Sequence, residues 1–433
     1  MISQADVIAY VLADLVLILV AARMLGRAAS ALRQPRVAGE IAAGILIGPT
    51  LLGGHVGTGS TEGAGLVDRL YPAEAFAFLS LIGQIGLVLY MFLVGIALDR
   101  RALRRRKRQI GVVATATGVA PIALGFAAAP LFDSSAWRPL GVGDLTFSLF
   151  LAAGLAATAL PVLARLLQEK GLVATPVGVI TVGVAGLVTV IAFLLVAAGS
   201  ASATGGGVVV DVVLRLGLAV SFTLLLLLIV RPVLGWVLGS IDAERNIGSI
   251  LSLLVILALA SGLVADRIGV TALIGGLLLG LVVPLTPGLV ERVEARLHDV
   301  VVLVFLPVFF AVSGLVTDLR VLDFGMAPGL LLFFVLLVAA KWLPAYLAGR
   351  ATGLAGAEAH AVGVLVTCGG VLALVVGLTG LELGVLTSEL QVTFVLGALV
   401  TLVLAGPLVD RLLAAPAVPA EAMREPGSVA PQD

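Results

Sequence analysis

The stretch "GLAATALPVLARLL" (Gly154–Leu167) decides how the rest of the chain is read. It lies inside an apolar run, 144–168, near the length of about 20 residues that a helix needs to cross a bilayer. Pro161 falls in its middle, where it removes a helical hydrogen bond and clashes with the preceding turn. One proline in a membrane helix is ordinary. A second run, 358–380, carries "VTCGGVLAL" (Val366–Leu374), with a glycine pair at the corresponding place. Paired interruptions at matched positions point to two crossed, broken helices around a midplane binding site, because unwound backbone is tolerated in a bilayer only where it is buried in protein or faces a cavity.

Composition agrees with that membrane setting. Of 433 residues 60% are hydrophobic and 12% charged, and mean hydropathy is +1.19. These values belong to an all-α polytopic membrane protein and exclude a soluble globular domain. Formal charge is zero, so no global basic field points to nucleic acid. A single cysteine, Cys368, excludes an internal disulfide framework. The first apolar run follows acidic Asp6 and has no clear cleavage site, which reads as a retained helix and not a signal peptide.

Thirteen spans are expected, at about 6–24, 37–53, 74–98, 109–131, 144–168, 175–199, 207–237, 246–264, 268–285, 297–316, 327–349, 358–380 and 386–413. The run "RRALRRRKR" (Arg100–Arg108) follows the third span and should be cytoplasmic, which puts the N-terminus outside and the C-terminus inside. Outside the spans, only Arg69, Arg138, Arg267 and Arg320 then fall on the external side. Spans one to six overlay spans eight to thirteen with opposite orientation. This gives two inverted repeats, about 1–199 and 246–413, linked by 207–237 within a transmembrane domain 1–413. The Pro- and Ala-rich tail, 414–433, reads as disordered.

Several segments are similar to the sodium/hydrogen exchanger domain of the monovalent cation:proton antiporter superfamily, in the branch of bacterial glutathione-gated potassium efflux proteins and plant cation exchangers. They are "QPRVAGEIAAGILIGPTLLG" (Gln34–Gly53), "IGQIGLVLYMFLVGIALD" (Ile82–Asp99), "ATALPVLARLLQEKGL" (Ala157–Leu172), "DRIGVTALIGGLLLGLVVP" (Asp266–Pro284), "LPVFFAVSGLVTDL" (Leu306–Leu319) and "KWLPAYLAGR" (Lys341–Arg350). The resemblance implies a homodimer in a bacterial inner membrane that moves by elevator-like alternating access. It also implies an ion-binding aspartate after the first crossing helix, preceded by Asn or Asp. Those positions here are Val188 and Thr189, in a stretch, "GVAGLVTVIAF" (Gly183–Phe193), with no acid. The second crossing helix departs as well: the family's Asn, Arg, Gly and Glu fall on Thr367, Gly369, Gly370 and Ala373. The acid two residues before Asp99 is Ala97.

Lys341 is the informative survivor, since in the family pattern it faces the missing aspartate. A charged lysine at the bilayer centre costs about 2.5–3.5 kcal/mol on insertion scales. Either it is the titrating group, or holds an anionic or carbonyl-bearing substrate, or it snorkels or bonds a broken-helix carbonyl. Thr158, Thr189, Thr367 and Cys368 would line the crossing, although hydroxyls in membrane helices commonly bond backbone carbonyls. Glu40 and Asp14 are the remaining intramembrane carboxylates; Glu40 reads as a tie for helix ends, Asp14 as a hydrogen-bonding group at a dimer or lipid edge.

His55, His298 and His360 are too dispersed for a metal cluster, and no phosphate-binding loop, HExxH or CxxC occurs, so no cofactor is expected. The lack of a nucleotide-binding domain after the last span reads as a form without ligand gating. Two functions stay open. One is a proton-coupled antiporter of Na+ or K+ with a degenerate ion site; the other is a repurposed fold that exports, binds or chemically converts a lipophilic organic molecule. A narrow polar crossing would suit the first, and a wide apolar pocket the second.

Overall fold

The computed structural model describes residues 4–54, 66–240, 246–269, 271–284, 287–369 and 371–413. His55, Arg245, Gly370 and the tail 414–433 lie outside the described residues.

The described residues contain helices and no strands. In chain order the principal elements are α1 (Gln4–Ala31), α2 (Arg36–Leu46), α3 (Ala73–Ala97), α4 (Lys107–Ala128), α5 (Asp144–Ala156), α6 (Leu160–Glu169) and α7 (Pro176–Ala203). There follow α8 (Val208–Gly239), α9 (Ile247–Arg267), α10 (Ala272–Val282), α11 (Pro287–Val300), α12 (Leu306–Leu315), α13 (Ala327–Ala351), α14 (Gly356–Thr367), α15 (Val371–Glu382) and α16 (Ser388–Leu413).

Among the described residues eleven helical segments are long and apolar enough to cross a membrane, counting α5–α6, α11–α12 and α14–α15 each as one. The spans expected at 37–53 and 268–285 are occupied by α2 and α10, helices of only 11 residues. Glycine explains how such short helices hold their place. A Cβ on Gly44 of α2 would lie 1.9 Å from the Ala311 carbonyl oxygen of α12, and one on Gly280 of α10 would lie 2.3 Å from the Phe92 carbonyl oxygen of α3. Backbone packs on backbone there, and only glycine leaves room.

Two bundles result. In the first, α2 lies between α1 and α12, while α10 lies between α9 and α3, and α3 and α12 pack together. In the second, α4, α5, α7 and α13–α16 enclose one another. The bundles touch where α2 and α3 reach α6, where α12 reaches α15, and where α16 meets α2 and the turn Leu319–Val321.

Candidate functional site

The crossing forms where α5–α6 and α14–α15 break. Pro161 sits in the first turn of α6, where its missing N–H costs nothing. The residues before it turn away from helical geometry, with ψ of 115° at Ala157 and 81° at Ala159. In the second break Cys368 has ψ of 108°. The breaks satisfy each other: the Ala159 N–H donates to the Cys368 carbonyl at 3.2 Å, and the Thr158 hydroxyl lies 3.2 Å from the Val366 carbonyl oxygen and 3.3 Å from that of Ala156. The Gly369 N–H donates to Thr401 Oγ1 on α16 at 3.1 Å. Unwound backbone groups thereby find partners without water.

Lys341 enters this crossing from α13, one turn before Pro344. It is fully buried, and its Nζ donates to the Ala157 carbonyl. Two helix C-termini, those of α5 and α14, meet here, each equivalent to roughly half a negative charge. Lys341 Nζ meets the first of them at the Ala157 carbonyl. Among the described residues no carboxylate pairs with it.

Thr189 is buried on α7 and donates its hydroxyl to the Ala185 carbonyl of its own helix at 2.7 Å. Together with Thr158 and Pro161 it lines a cavity of about 560 Å³. Phe193, Phe309, Val312 and Leu372 are among its walls, and Arg215 and Asp266 lie toward the ends of α3, α7 and α9 remote from Arg100–Arg108. Arg215 is engaged by Asp211 at 2.7 Å. Val188 faces the packed core and does not line the cavity. Neither do Thr367, whose hydroxyl donates to Gly363 at 2.7 Å, and Cys368, whose thiol faces Val364 and Thr401.

Glu40 and Asp14 are not at the crossing. Glu40 lies on α2 beside Arg165 of α6, at 3.9 Å, while Arg165 Nε bonds Glu169 Oε1 at 3.1 Å and Glu169 Oε2 accepts the Arg36 N–H at 3.2 Å. This network ties the end of α6 to α2. We expect Arg165→Met to cost about 1–3 kcal/mol by removing the charged hydrogen-bond partner of Glu169, seen as a drop in detergent melting temperature; an unchanged melt would show that the network is idle. Asp14 is buried in α1 near Tyr71.

Sequence reading missed Thr401, which holds the second break, and the Ala157 carbonyl, which holds Lys341. A threonine in "LVTLVLAG" (Leu399–Gly406) carries no signal of its own, and a carbonyl carries none at all.

A helical membrane protein with two crossed, interrupted helices has the architecture of a secondary transporter. The chain belongs to the sodium/hydrogen exchanger transmembrane family, whose model matches residues 15–415. It is 31% identical over 412 residues to the Na(+)/H(+) antiporter NhaS4 of Synechocystis, covering 94% of this chain and 98% of that protein. It is 29% identical to the K(+)/H(+) antiporter 1 of Saccharomyces cerevisiae over 88% of this chain, and 31% identical to the cation/H(+) antiporter 20 of Arabidopsis thaliana over 91%. The alignments cover 43% and 47% of those two longer proteins. Its fold is similar to the sodium proton antiporter MjNhaP1 of Methanocaldococcus jannaschii, with a TM-score of 0.61, 15% identity and coverage of 94% and 97% of the two chains.

Proposed function

We propose that the chain exchanges a monovalent cation, Na+ or K+, for protons by alternating access, with Lys341 in the part that the family gives to an aspartate. The observation that carries this reading is the bond from Lys341 to the Ala157 carbonyl inside the break. While the ammonium holds that carbonyl, a dehydrated cation cannot. Once the amine has released its proton, its charge no longer repels a cation from the carbonyl, and Thr158, the next residue in the chain, lines the cavity together with Thr189. Proton and cation exclude each other, which exchange requires. Each state leaves one positive charge at the crossing, so one proton moves per cation.

Elevator-type movement of the bundle holding the crossing against the bundle of α1–α3, α9, α10 and α12 would expose it to either face. The thin seam between the bundles supports this. The same reading makes 1–413 one transmembrane domain of two repeats, about 1–199 and 246–413, joined by 207–237. The chain is then a homodimer in a bacterial inner membrane, N-terminus outside and C-terminus cytoplasmic; the basic run Arg100–Arg108 supports the orientation.

One observation favours the second reading, in which a lipophilic organic molecule is bound, exported or converted. The cavity's volume is in the range of organic-ligand pockets, and its lining carries many apolar side chains and a single carboxylate, Asp266.

Proteoliposomes with a pH-sensitive dye separate the two. Wild type is expected to move protons on addition of Na+ or K+, at a rate unchanged when the membrane potential is clamped. A silent wild type beside an active Thr189→Asp would mean that the ion site has been switched off and the organic reading holds.

A further inference from the structure

A second cavity, of about 210 Å³, lies at the opposite side of the molecule from the mouth of the first. Its polar end is formed by Arg23 and Arg27 of α1, Arg36 and Glu40 of α2, and Arg165 of α6. The Arg165 charge is met by Glu169 and Glu40, which leaves Arg23, Arg27 and Arg36 in surplus. Arg23 and Arg27 have no ion-pair partner among the described residues. Glu40 is 5% exposed, and its Oε2 makes no hydrogen bond. The apolar end is formed by Leu19, Leu303 and Pro307. Next to Leu19 and Leu303 in the chain, Val20 and Val304 face outward, as does Val16 one turn earlier on α1.

The helix directions put this groove on the side of Arg100–Arg108: α1 and α3 both end there. It therefore sits where the apolar belt of α1 gives way to arginine, the level of phosphates in a bilayer. We propose that the groove binds the headgroup of an anionic phospholipid with a hydroxyl on its headgroup, of the phosphatidylglycerol kind. The phosphodiester meets Arg23, Arg27 and Arg36, a headgroup hydroxyl donates to Glu40 Oε2, and an acyl chain runs along Leu19 and Leu303. The continuity of basic and apolar surface selects a lipid over free phosphate, which has no use for the apolar end.

The test is native mass spectrometry of the full chain released from detergent, with phosphatidylglycerol, phosphatidylcholine or inorganic phosphate added. Phosphatidylglycerol should be retained in preference to phosphatidylcholine, and phosphate should not compete at millimolar concentration. Arg23→Gln/Arg27→Gln, at two exposed positions, should weaken retention by about fivefold for each charge removed, whereas Arg104→Gln/Arg105→Gln should leave it unchanged. Equal retention by the first pair and wild type, equal loss in both pairs, or full competition by phosphate would each overturn the proposal. If the first pair does not fold, Arg36→Gln with the same lipids decides in the same way. Cation exchange plays no part in the readout, so the outcome does not depend on the exchange mechanism.

Discussion

Lys341→Met abolishes cation-driven proton movement in proteoliposomes while leaving folded protein in hand. The two halves of that expectation have separate reasons. Removing the amine strands the Ala157 carbonyl, at a cost of about 1–3 kcal/mol for an unmet buried partner. It also removes a charge whose insertion costs about 2.5–3.5 kcal/mol. The terms are of similar size and opposite sign, so stability changes little. Function has no such offset, because methionine has no proton to exchange and, among the described residues, no carboxylate pairs with Lys341 at the crossing to stand in. Lys341→Arg sharpens the test. Arginine keeps the charge and the donors but does not give up its proton in proteins, so a titrating role predicts a silent variant that still binds Ala157. Dye measurements on both variants decide. Exchange at the wild-type rate in Lys341→Met would reduce Lys341 to a tie between helix ends, and exchange in Lys341→Arg would assign it a purely electrostatic part.

The sequence carried the fold because its signals are of the kind a bilayer enforces. Apolar runs, the Pro161 break and the Gly369 break each report a backbone that must satisfy itself without water, and each falls where a helix or a break is found. The lengths of α2 and α10 were not legible, since Gly48, Pro49 and Val283–Pro284 end these helices within runs that remain apolar. At the site, Lys341 and Thr158 are named in the sequence only through the resemblance to the exchanger family. Val188, Thr367 and Cys368 could not be separated from true lining residues, because which face of a helix looks into a cavity depends on neighbours distant in sequence, such as Phe309 and Leu372. Glu40 reads from the sequence as a tie for helix ends, but its neighbour Arg165 and the basic groove around them depend on α1, α2 and α6 converging.

Gly44→Ala and Gly280→Ala are each expected to yield no stable protein, and to do so equally. The new methyl group meets backbone in both cases, with Ala311 oxygen 1.9 Å from a Cβ on Gly44 and Phe92 oxygen 2.3 Å from one on Gly280. The opposing glycines are as tight: a Cβ on Gly314 would be 2.2 Å from the Ile41 oxygen, and one on Gly95 2.4 Å from the Leu277 oxygen. Overpacking a core by one or two methylenes costs typically 1–3 kcal/mol when side chains can yield. Here a helix would have to move, so ~3 kcal/mol or more is expected at each site. Gly111→Ala and Gly217→Ala are the controls; nothing lies within 4 Å of a Cβ at either, and alanine in a helix is favoured over glycine by about 0.5–1 kcal/mol. Size-exclusion profiles and melting temperatures in detergent give the answer, and a monodisperse Gly44→Ala melting like wild type would sink the packing argument. The demand for equal effects tests more than sterics. Gly26, Gly39 and Gly44 recur with identical spacing as Gly262, Gly275 and Gly280, and a Cβ on Gly39 would meet Gly26 as one on Gly275 would meet Gly262, at 2.8 Å to the Cα in each. Two halves folded to one plan but inverted in the membrane should fail alike when the same contact is closed in each. If Gly280→Ala were tolerated while Gly44→Ala was lost, the halves would share a pattern of glycines without sharing the load that the pattern bears.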